Sequence, residues 1–435
     1  MGERDVSAAR SVRVPGDKSL THRALIFSAL AEGRSTLANL QAGEDAQATA
    51  RVLRALGCAI PPLSGNGSTL VIEGRGLHGL AAATAALDCA NSGTTARLML
   101  GVLAGLPFRS VLTGDASLRS RPMRRVTDPL SRMGARFAEL EREDCLPIAI
   151  EGGPLRGIDF ESPRASAQVK SALLLAGLTG GAPVVVREPV LSRDHTERML
   201  SAMGVGVRTT RDPQDGVVIE LEPADALRAL QFSIPGDISA ASFFLALGLL
   251  SAHPVRVHDV GLNPGRIGLL SVLNRMGARI ATSRQRDDSG EPVGDVIAEP
   301  SRLVGAFVSE EELPSLIDEV PILAVIAARA EGETTIRGAS ELRLKESDRL
   351  AALAANLRAV GVEAEELADG LVVQGSDRPL EGRVRSHGDH RIAMAFGVLG
   401  ALAGNEISID DPSVAAVSFP GFWEQLRMCS ATSAR

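Results

Sequence analysis

The sequence predicts a mixed α/β protein of two domains, each built from about three repeated units of helices and strands. Three observations carry this prediction: a length of 435 residues, a helix end that recurs along the chain, and a Pro-Gly-Asp segment that occurs twice. A chain of this length usually forms more than one domain. Its 45% hydrophobic and 23% charged residues are ordinary for a globular protein.

The recurring helix end consists of a leucine, three further residues and a glycine. An amphipathic helix that stops at a C′ glycine and is followed by a strand gives such a pattern. The glycines are 70 to 84 residues apart, a spacing too long for a solenoid coil, so each period should be one unit of several helices and strands. The five copies end at Gly57, Gly134, Gly204, Gly277 and Gly361.

The Pro-Gly-Asp segments divide the chain into two halves. They occupy residues 14–19 and 234–239, and each precedes a helical pattern, over residues 20–30 and 240–250. Asp17 and Asp237 are placed to cap these helices. We therefore expect a crossover between domains at each segment.

Composition excludes several classes of protein. A net charge of −7 gives no general affinity for nucleic acid, and no apolar run is long enough to span a membrane. The four cysteines are scattered and the seven histidines form no ligand motif, so we expect reduced thiols in the cytoplasm, no metal and no cofactor.

Candidate anion-binding residues gather at the starts of helices. Residues 16–23 open the first helix with Lys18, Ser19 and Arg23, and a helix N-terminus attracts anions. A capped surface helix with incidental charges is an equal alternative for this segment. For the Asn-Ser-Gly-Thr turn within residues 88–97, an ordinary turn is the better interpretation when it is taken alone.

Further helix starts carry the same residue types. An arginine-rich stretch at 113–125 follows an apolar strand, and arginine suits carboxylate or phosphate. Lys, Arg, Ser and Gln also open helices at residues 165–171, 192–197, 341–349 and 388–391. An acidic protein that collects its cations at helix starts is predicted to contain an anion pocket.

Two acids lie among these cations. Glu346 is next to Lys345 and three residues before Arg349, and Asp318 precedes the apolar helix predicted at 322–328. A carboxylate held ionised by cations can act as a base or relay protons. A salt bridge, or a helix cap for Asp318, is the alternative.

Lysine usage is a further signal. Of the 46 basic residues only Lys18, Lys170 and Lys345 are lysines, and all three lie in the polar segments described above. A coding bias towards arginine explains the imbalance but not these positions. Lysine offers a compact ammonium that can exchange a proton, which arginine cannot.

The ordered motifs of the chain resemble those of EPSP synthases from about residue 12 to about residue 426. The nine motifs are PGDKSLTHR, NSGT with Arg97, SRP at 120–122, SAQVK, SRDHTE, IDEVP, LKESDR, GDHR and SFP at 418–420. The resemblance implies an inside-out α/β barrel in each of two domains, with three βαβαββ units apiece. It implies domains of residues 16–235 and of 1–15 plus 236–435, with the active site in the cleft between them.

The reaction implied by this resemblance joins the 5-hydroxyl of shikimate 3-phosphate to C2 of phosphoenolpyruvate and expels phosphate through a tetrahedral adduct. By resemblance, Asp318 is the base, and Glu346 and Lys18 are alternative donors of the proton to carbon. The residues implied for shikimate 3-phosphate are Lys18, Ser19, Arg23, Ser166, Ala167, Gln168, Arg193, Asp318 and Lys345. Those implied for phosphoenolpyruvate are Lys18, Gly93, Arg121, Gln168, Arg349 and Arg391.

The chain departs from the family pattern at one proposed ligand position, and two related functions are alternatives. Val417 stands where many members carry Lys, and Gly93 implies inhibition by glyphosate. A UDP-N-acetylglucosamine enolpyruvyl transferase would carry a reactive Cys before Arg121-Pro122, and residues 115–122 contain none. A non-catalytic phosphosugar-binding relative would not need the acids. We expect a monomer with small-molecule substrates only.

Overall fold

The computed structural model describes residues 9–64, 69–212 and 216–431. Within them the chain forms two compact units. Unit 1 comprises residues 9–15, 235–286 and 292–431, and unit 2 comprises residues 16–64, 69–212, 216–234 and 287–291. The extreme ends of the domain predicted from 1–15 and 236–435 lie outside the described residues.

Helices and strands alternate along the described chain. The helices are α1 Lys18–Leu30, α2 Glu44–Ala55, α3 Gly93–Ala104, α4 Arg124–Met133, α5 Ala167–Gly180, α6 His195–Ala202, α7 Ile238–Leu250, α8 Gly268–Arg275, α9 Val320–Ala327, α10 Arg349–Ala359, α11 His390–Gly400 and α12 Phe422–Ser430. The strands are β1 Arg10–Arg13, β2 Arg34–Ala38, β3 Thr69–Glu73, β4 Leu87–Asp88, β5 Arg109–Thr113, β6 Arg136–Glu139, β7 Ile148–Glu151, β8 Ile158–Glu161, β9 Val184–Glu188, β10 Val207–Asp212, β11 Gly216–Leu221, β12 Gln231–Ser233, β13 Val255–Gly261, β14 Arg279–Asp288, β15 Glu291–Glu299, β16 Phe307–Val308, β17 Glu333–Ile336, β18 Ala364–Leu367, β19 Gly370–Gln374, β20 Glu381–Val384 and β21 Glu406–Ile409.

One arrangement of strands recurs in six sheets, three in each unit. Unit 2 contains the sheets β12-β2-β3, β4-β5-β7-β6 and β10-β11-β9-β8, and unit 1 contains β1-β13-β15-β14, β16-β17-β19-β18 and β20-β21. Within the described residues every sheet contains a parallel pair: β1 with β13, β4 with β5, β8 with β9, β12 with β2, β16 with β17, and β20 with β21. Two of these pairs, β1 with β13 and β12 with β2, join parts of the chain that are distant in sequence. The sheets are thus variants of one supersecondary unit.

Four of the six units have the full βαβαββ order, and two are shorter than predicted. In one, the segment after α2 forms no strand among described residues 58–64, where Pro61 and Pro62 lack the N–H groups that a sheet ladder needs. In the other, β20 and β21 form the whole sheet, and α12 has no strand after it among the described residues. Three units occur in each half as expected, and within the described residues these two have fewer strands than the other four.

The core of each unit is made of helices. In α1, every residue from 20 to 30 is buried, and twelve of the thirteen residues of α7 are buried. A helix that is apolar on all sides belongs inside a protein, and the strands alternate buried and exposed residues around such helices. In unit 2, α3 and α5 pack so closely that a Cβ on Gly101 would lie 2.2 Å from the carbonyl oxygen of Ala172. This is the inside-out arrangement that the sequence predicted.

The five repeated helix ends have the predicted geometry. Their glycines have φ between 86° and 120°, a region that disfavours side chains. In each copy the residue after the glycine donates its N–H to the carbonyl of the leucine, as Cys58 does to Leu53 at 3.0 Å. A strand follows four of the glycines, and the first is the exception described above.

The helix starts also confirm the predicted caps. Asp17 accepts a bond from the N–H of Leu20, and Asp237 accepts one from the N–H of Ser239, both at 2.8 Å. The last helix begins at Phe422, directly after Gly421, which has φ 85°. No helix within the described ranges combines the length and apolarity needed to cross a bilayer.

Candidate active site

The start of α1 carries the first group of predicted residues in unit 2. Lys18 is the first residue of the helix, and its ammonium lies 3.0 Å from the carboxylate of Asp45 at the start of α2. Their side chains are 22% and 16% exposed, so the pair remains accessible to a small ligand. Because α1 is buried along its length, the surface-helix alternative for this segment was wrong.

Arg23 lies one turn further along α1 and is buried. Its Nε and Nη2 donate to the hydroxyls of Thr196 and Ser171, both at 2.7 Å, and its Nη1 donates to the carbonyl of Ser19 at 3.1 Å. Burial lowers the pKa of Arg23 to about 10 against the opposing effect of Glu197, so the guanidinium is cationic at neutral pH. These bonds use three of the five guanidinium donors.

The Asn-Ser-Gly-Thr turn starts α3, with Ser92 as its cap. Arg121, which ends a short 3₁₀ segment, donates from Nη2 to Asn91 Oδ1 at 2.6 Å and to Ser117 Oγ at 3.2 Å. A Cβ on Gly93 would lie 2.7 Å from Arg97 Nη1 and 3.5 Å from Arg121 Nη1. The turn is therefore packed directly against two guanidinium groups, which an ordinary turn would not need.

The start of α5 joins this turn through Gln168. Its amide oxygen accepts from Arg97 Nη1 at 2.9 Å and from Arg125 Nη2 at 3.3 Å, and its amide nitrogen donates to Thr94 Oγ1 at 3.0 Å. Ser166 caps the helix, and Ala167 is its first residue. Unit 2 thus brings together Gly93, Arg121 and Gln168, which the sequence assigned to one ligand.

Asp318 is the centre of the predicted residues in unit 1. Its carboxylate oxygens lie 3.7 Å from Lys345 Nζ, 3.8 Å from Arg349 Nη1 and 3.7 Å from Arg266 Nη1. Asp318 lies in a short 3₁₀ segment before α9, whose cap position is Glu319 and has no side-chain cap bond. The alternative of a helix cap for Asp318 was therefore wrong, and three cations surround its carboxylate.

Arg349 links these acids to the start of α11. It is 1% exposed, with Nη2 at 2.6 Å from Glu346 and Nε at 2.7 Å from Asp389. Burial alone would lower the pKa of Arg349, but Asp389 and Glu346 outweigh it and raise the pKa above its usual range. Burial by itself would raise the pKa of Asp389, but the nearby Arg349 guanidinium outweighs this effect and lowers that pKa. Both groups are charged at neutral pH.

Arg391 completes the set in unit 1. It is the second residue of α11, and its N–H is held by the cap Asp389 at 2.9 Å. Its Nη1 donates to the backbone carbonyl of Asp318 at 2.9 Å. Arg391 therefore ties the segment that bears the predicted base to a second helix start.

Sequence reasoning missed several residues that hold these groups in place. Arg97 and Asp389 were in the quoted motifs but were given no role. Asn91 was likewise in a quoted motif without a role of its own, whereas Asp45 and Arg266 carried no signal that could have identified them, because their partners are distant in sequence. Arg266 is 3% exposed and also bonds Ser239 Oγ at 2.8 Å.

Two features bear on metal and thiol chemistry. No group of three or more His, Cys, Asp and Glu residues in the described ranges could hold a metal ion. Each of the four cysteines is a buried free thiol.

Each unit by itself thus presents cations and acids at or near the starts of its helices. In unit 2 these are Lys18, Arg23, Arg97 and Arg121 with Asp45, and in unit 1 they are Arg266, Lys345, Arg349 and Arg391 with Asp318 and Glu346. Such groups can neutralise phosphates and carboxylates and can move protons at a bound hydroxyl or carbon.

Comparison with known proteins finds one family over nearly the whole chain. The family model described as EPSP synthase (3-phosphoshikimate 1-carboxyvinyltransferase) matches residues 5–426. The 3-phosphoshikimate 1-carboxyvinyltransferase of Desulforudis audaxviator strain MP104C is 49% identical over 96% of this chain and 97% of its own. That of Synechococcus sp. strain CC9605 is 48% identical over 95% of this chain and 94% of its own.

Solved structures show the same relationship. The EPSP synthase of Acinetobacter baumannii is 40% identical, covers 97% of this chain and 96% of its own, and superposes with a TM-score of 0.85. The enolpyruvyl transferase NikO of Streptomyces tendae covers 98% and 95% with a TM-score of 0.73, but at 18% identity it supports the fold alone.

Proposed function

The chain belongs to the EPSP synthase (3-phosphoshikimate 1-carboxyvinyltransferase) family, and we infer that it transfers the enolpyruvyl group of phosphoenolpyruvate to shikimate 3-phosphate. The observation that carries this conclusion is the match to one enzyme family over residues 5–426. The curated relatives named above are enzymes of this activity, so neither a UDP-N-acetylglucosamine enolpyruvyl transferase nor a non-catalytic binding protein is favoured.

The chemistry requires one addition across the double bond of phosphoenolpyruvate and one elimination. The 5-hydroxyl loses its proton and its oxygen bonds to C2 of phosphoenolpyruvate, while the methylene carbon gains a proton. The resulting tetrahedral adduct then loses phosphate from C2 and a proton from the methyl group, which leaves the enolpyruvyl ether. Two phosphates and two carboxylates must be neutralised throughout.

For shikimate 3-phosphate we propose the residues that the motifs imply. Lys18, Ser19, Arg23, Ser166, Ala167, Gln168 and Arg193 belong to unit 2, and Asp318 and Lys345 belong to unit 1. The accessible ammonium of Lys18 and the two donors of Arg23 beyond its three internal bonds support this role. Phosphate and carboxylate both suit such donors.

For phosphoenolpyruvate we propose Lys18, Gly93, Arg121 and Gln168 of unit 2 with Arg349 and Arg391 of unit 1. Arg121 Nε and Arg349 Nη1 are buried and make no hydrogen bond within the described residues. A buried donor without an acceptor is costly, and an anionic ligand would satisfy it. This supports an anion beside each guanidinium.

Asp318 is the proposed base at the 5-hydroxyl. Three cations within 4 Å of its carboxylate favour the ionised form that a base needs. The proton for the methylene carbon comes from Glu346 or Lys18, which are paired with Arg349 and Asp45 respectively. The variants Glu346→Gln and Lys18→Met distinguish the two candidates. In D₂O the methylene carbon of phosphoenolpyruvate takes up deuterium when the adduct forms, and only the variant that lacks the true donor should fail to incorporate it.

We also propose that the enzyme works in the cytoplasm as a monomer, without metal or cofactor and without nucleic-acid or membrane partners. Four buried reduced thiols fit a reducing compartment. Sedimentation equilibrium tests the monomer, and a mass of twice 45.5 kDa would overturn it.

The activity is tested by phosphate release from phosphoenolpyruvate. Release should require shikimate 3-phosphate and should not occur with UDP-N-acetylglucosamine. Asp318→Asn should lower kcat by about 1000-fold, the middle of the range for a general base. Release that depends on UDP-N-acetylglucosamine instead, or on neither acceptor, would contradict the proposed function.

A further inference from the structure

Glu188 is a buried carboxylate that lies outside every motif recognised in the sequence. It is the last residue of β9 and is 1% exposed, so no substrate can reach it. Burying a carboxylate is costly unless it is paired and hydrogen-bonded. The groups that pair with and hydrogen-bond to the Glu188 carboxylate therefore indicate its structural role.

The carboxylate of Glu188 holds two chain segments at once. Oε1 accepts from the backbone N–H of Ser166 at 3.0 Å, and Oε2 accepts from the backbone N–H of Ser192 at 3.2 Å. The Ser192 hydroxyl lies 2.8 Å from both oxygens. Ser166 caps α5, and Ser192 immediately precedes Arg193, so both segments carry residues assigned to shikimate 3-phosphate.

Lys170 balances the charge of this carboxylate. It is 0% exposed, and its ammonium lies 3.2 Å from Glu188 and 2.6 Å from Glu197. The same ammonium donates to the carbonyl of Ser192 at 3.3 Å. The third lysine of the chain is therefore an internal counter-ion between two acids, and it adds a second bond to the Ser192 segment.

The cluster continues to Arg23 through the neighbouring residues. Ser171 follows Lys170, Thr196 precedes Glu197, and their hydroxyls lie 2.7 Å apart. Both hydroxyls accept bonds from Arg23 at 2.7 Å. One buried network thus connects Glu188 with three separate segments that carry predicted ligands of the same substrate.

We propose that Glu188, charge-balanced by Lys170, is a positioning residue that sets the affinity for shikimate 3-phosphate by fixing the Ser166 and Ser192 segments. It acts through backbone groups and does not touch the substrate. Within the described residues no bond of this cluster reaches Gly93 or Arg121. Gln168 at the start of α5 is shared by both substrates, so phosphoenolpyruvate should be affected, but less than shikimate 3-phosphate. The substrate named here rests on the proposed function.

Glu188→Gln tests this role because it keeps the shape but replaces one acceptor oxygen with an NH₂ donor, which faces another donor. The expected result is at least about a 10-fold rise in the Kd for shikimate 3-phosphate, measured by calorimetry, with a matching rise in its KM. KM for phosphoenolpyruvate and kcat should change less than about 3-fold. Glu188→Asp, which keeps the charge, should recover part of the affinity.

Leu178→Ala is the matched control. Leu178 is fully buried on the same helix, about 16 Å along the axis from Ala167, so its truncation should lower stability without disturbing the helix start. It should leave the Kd for shikimate 3-phosphate within about 2-fold. If Glu188→Gln does not fold, Glu188→Asp replaces it in the experiment, because the shorter side chain keeps the charge opposite Lys170 but is too short to hold both segments.

The outcomes separate this inference from the proposed function. If the unmodified protein binds shikimate 3-phosphate and a folded Glu188 variant binds it equally well, the positioning role is overturned alone. The same holds if Leu178→Ala weakens binding as much as Glu188→Gln does. If the unmodified protein does not bind shikimate 3-phosphate, the proposed function is overturned. The inference that Glu188 sets the affinity for this substrate is then overturned as well.

Discussion

Lys18 and Asp45 form an ion pair of 3.0 Å between the starts of α1 and α2, and both side chains remain partly exposed. The pair fixes a compact ammonium at a helix N-terminus without burying it. A guanidinium in that place would be wider, planar and unable to give up a proton. This explains physically why a chain with 43 arginines and three lysines keeps lysine there.

Lys18→Arg and Lys345→Arg should each lower kcat/KM by at least about 100-fold, or ~2.7 kcal/mol of transition-state stabilisation. Lys345 lies 3.7 Å from the proposed base Asp318, where a wider cation would displace the carboxylate. Steady-state kinetics on variants with normal thermal melts measures the effect. Near-normal activity in both would show that the lysine positions are an accident of composition.

Lys170→Arg should have a milder effect on turnover and a larger effect on stability. Lys170 is completely buried between Glu188 and Glu197, so a larger side chain must be accommodated in a packed interior. Overpacking of this kind costs about 1–3 kcal/mol. We expect a lower melting temperature with kcat within about 10-fold. A kcat loss equal to that of Lys18→Arg would contradict the distinction.

His22 should make the protein less stable in mild acid. It is buried against Thr49, 2.6 Å from the hydroxyl, and burial lowers its pKa to about 3, with Asp45 opposing and Lys18 and Arg23 adding to the shift. Between pH 3 and 6.5 the unfolded chain binds a proton that the folded chain does not. The free energy of unfolding should therefore fall with pH by about 1.4 kcal/mol per unit below pH 6.5.

The test compares the protein with His22→Gln, which keeps a polar side chain but cannot titrate. Denaturant unfolding at pH 8, 6.5 and 5 should show that the wild type loses about 2 kcal/mol more than the variant between pH 6.5 and 5. Parallel pH dependence of the two proteins would mean that His22 is protonated in the folded state.

Gly93→Ala should weaken glyphosate far more than phosphoenolpyruvate. An added Cβ would lie 2.7 Å from Arg97 Nη1, so this guanidinium must shift beside the proposed donor site. We expect the inhibition constant of glyphosate to rise by more than about 10-fold relative to the KM of phosphoenolpyruvate. The KM of shikimate 3-phosphate serves as the internal control. Equal changes for inhibitor and donor would contradict this geometry.

Phosphate release should survive chelation. The charges of both substrates are matched by arginine and lysine side chains, such as the three cations around Asp318, which supply the electrostatic stabilisation that a divalent ion gives elsewhere. We expect less than about a 2-fold change in kcat after EDTA treatment and gel filtration. Loss of activity that a divalent ion restores would show that a metal takes part.

Much of the fold was readable in the sequence because its signals are local. A leucine four residues before a glycine fixes a helix end through one backbone bond, and the same bond closes all five copies. Asp17 and Asp237 were readable as caps for the same reason, since a cap bonds its own helix. The lack of a strand in residues 58–64 after α2, as far as the segment is described, was not predicted, because a strand there was inferred from the other copies of the pattern.

The ordered motifs by themselves determined the family, the inside-out fold and the candidate ligands Lys18, Asp318 and Arg349. Tertiary structure alone decided their ion-pair partners. Lys18 pairs with Asp45, Asp318 with Arg266, and Arg349 with Asp389. It also decided that Lys170 is an internal counter-ion to Glu188. A local hydrogen bond involves residues close together in the sequence, so a short motif can predict it. An ion pair between distant segments forms only when folding packs the two segments together, so no short motif predicts it.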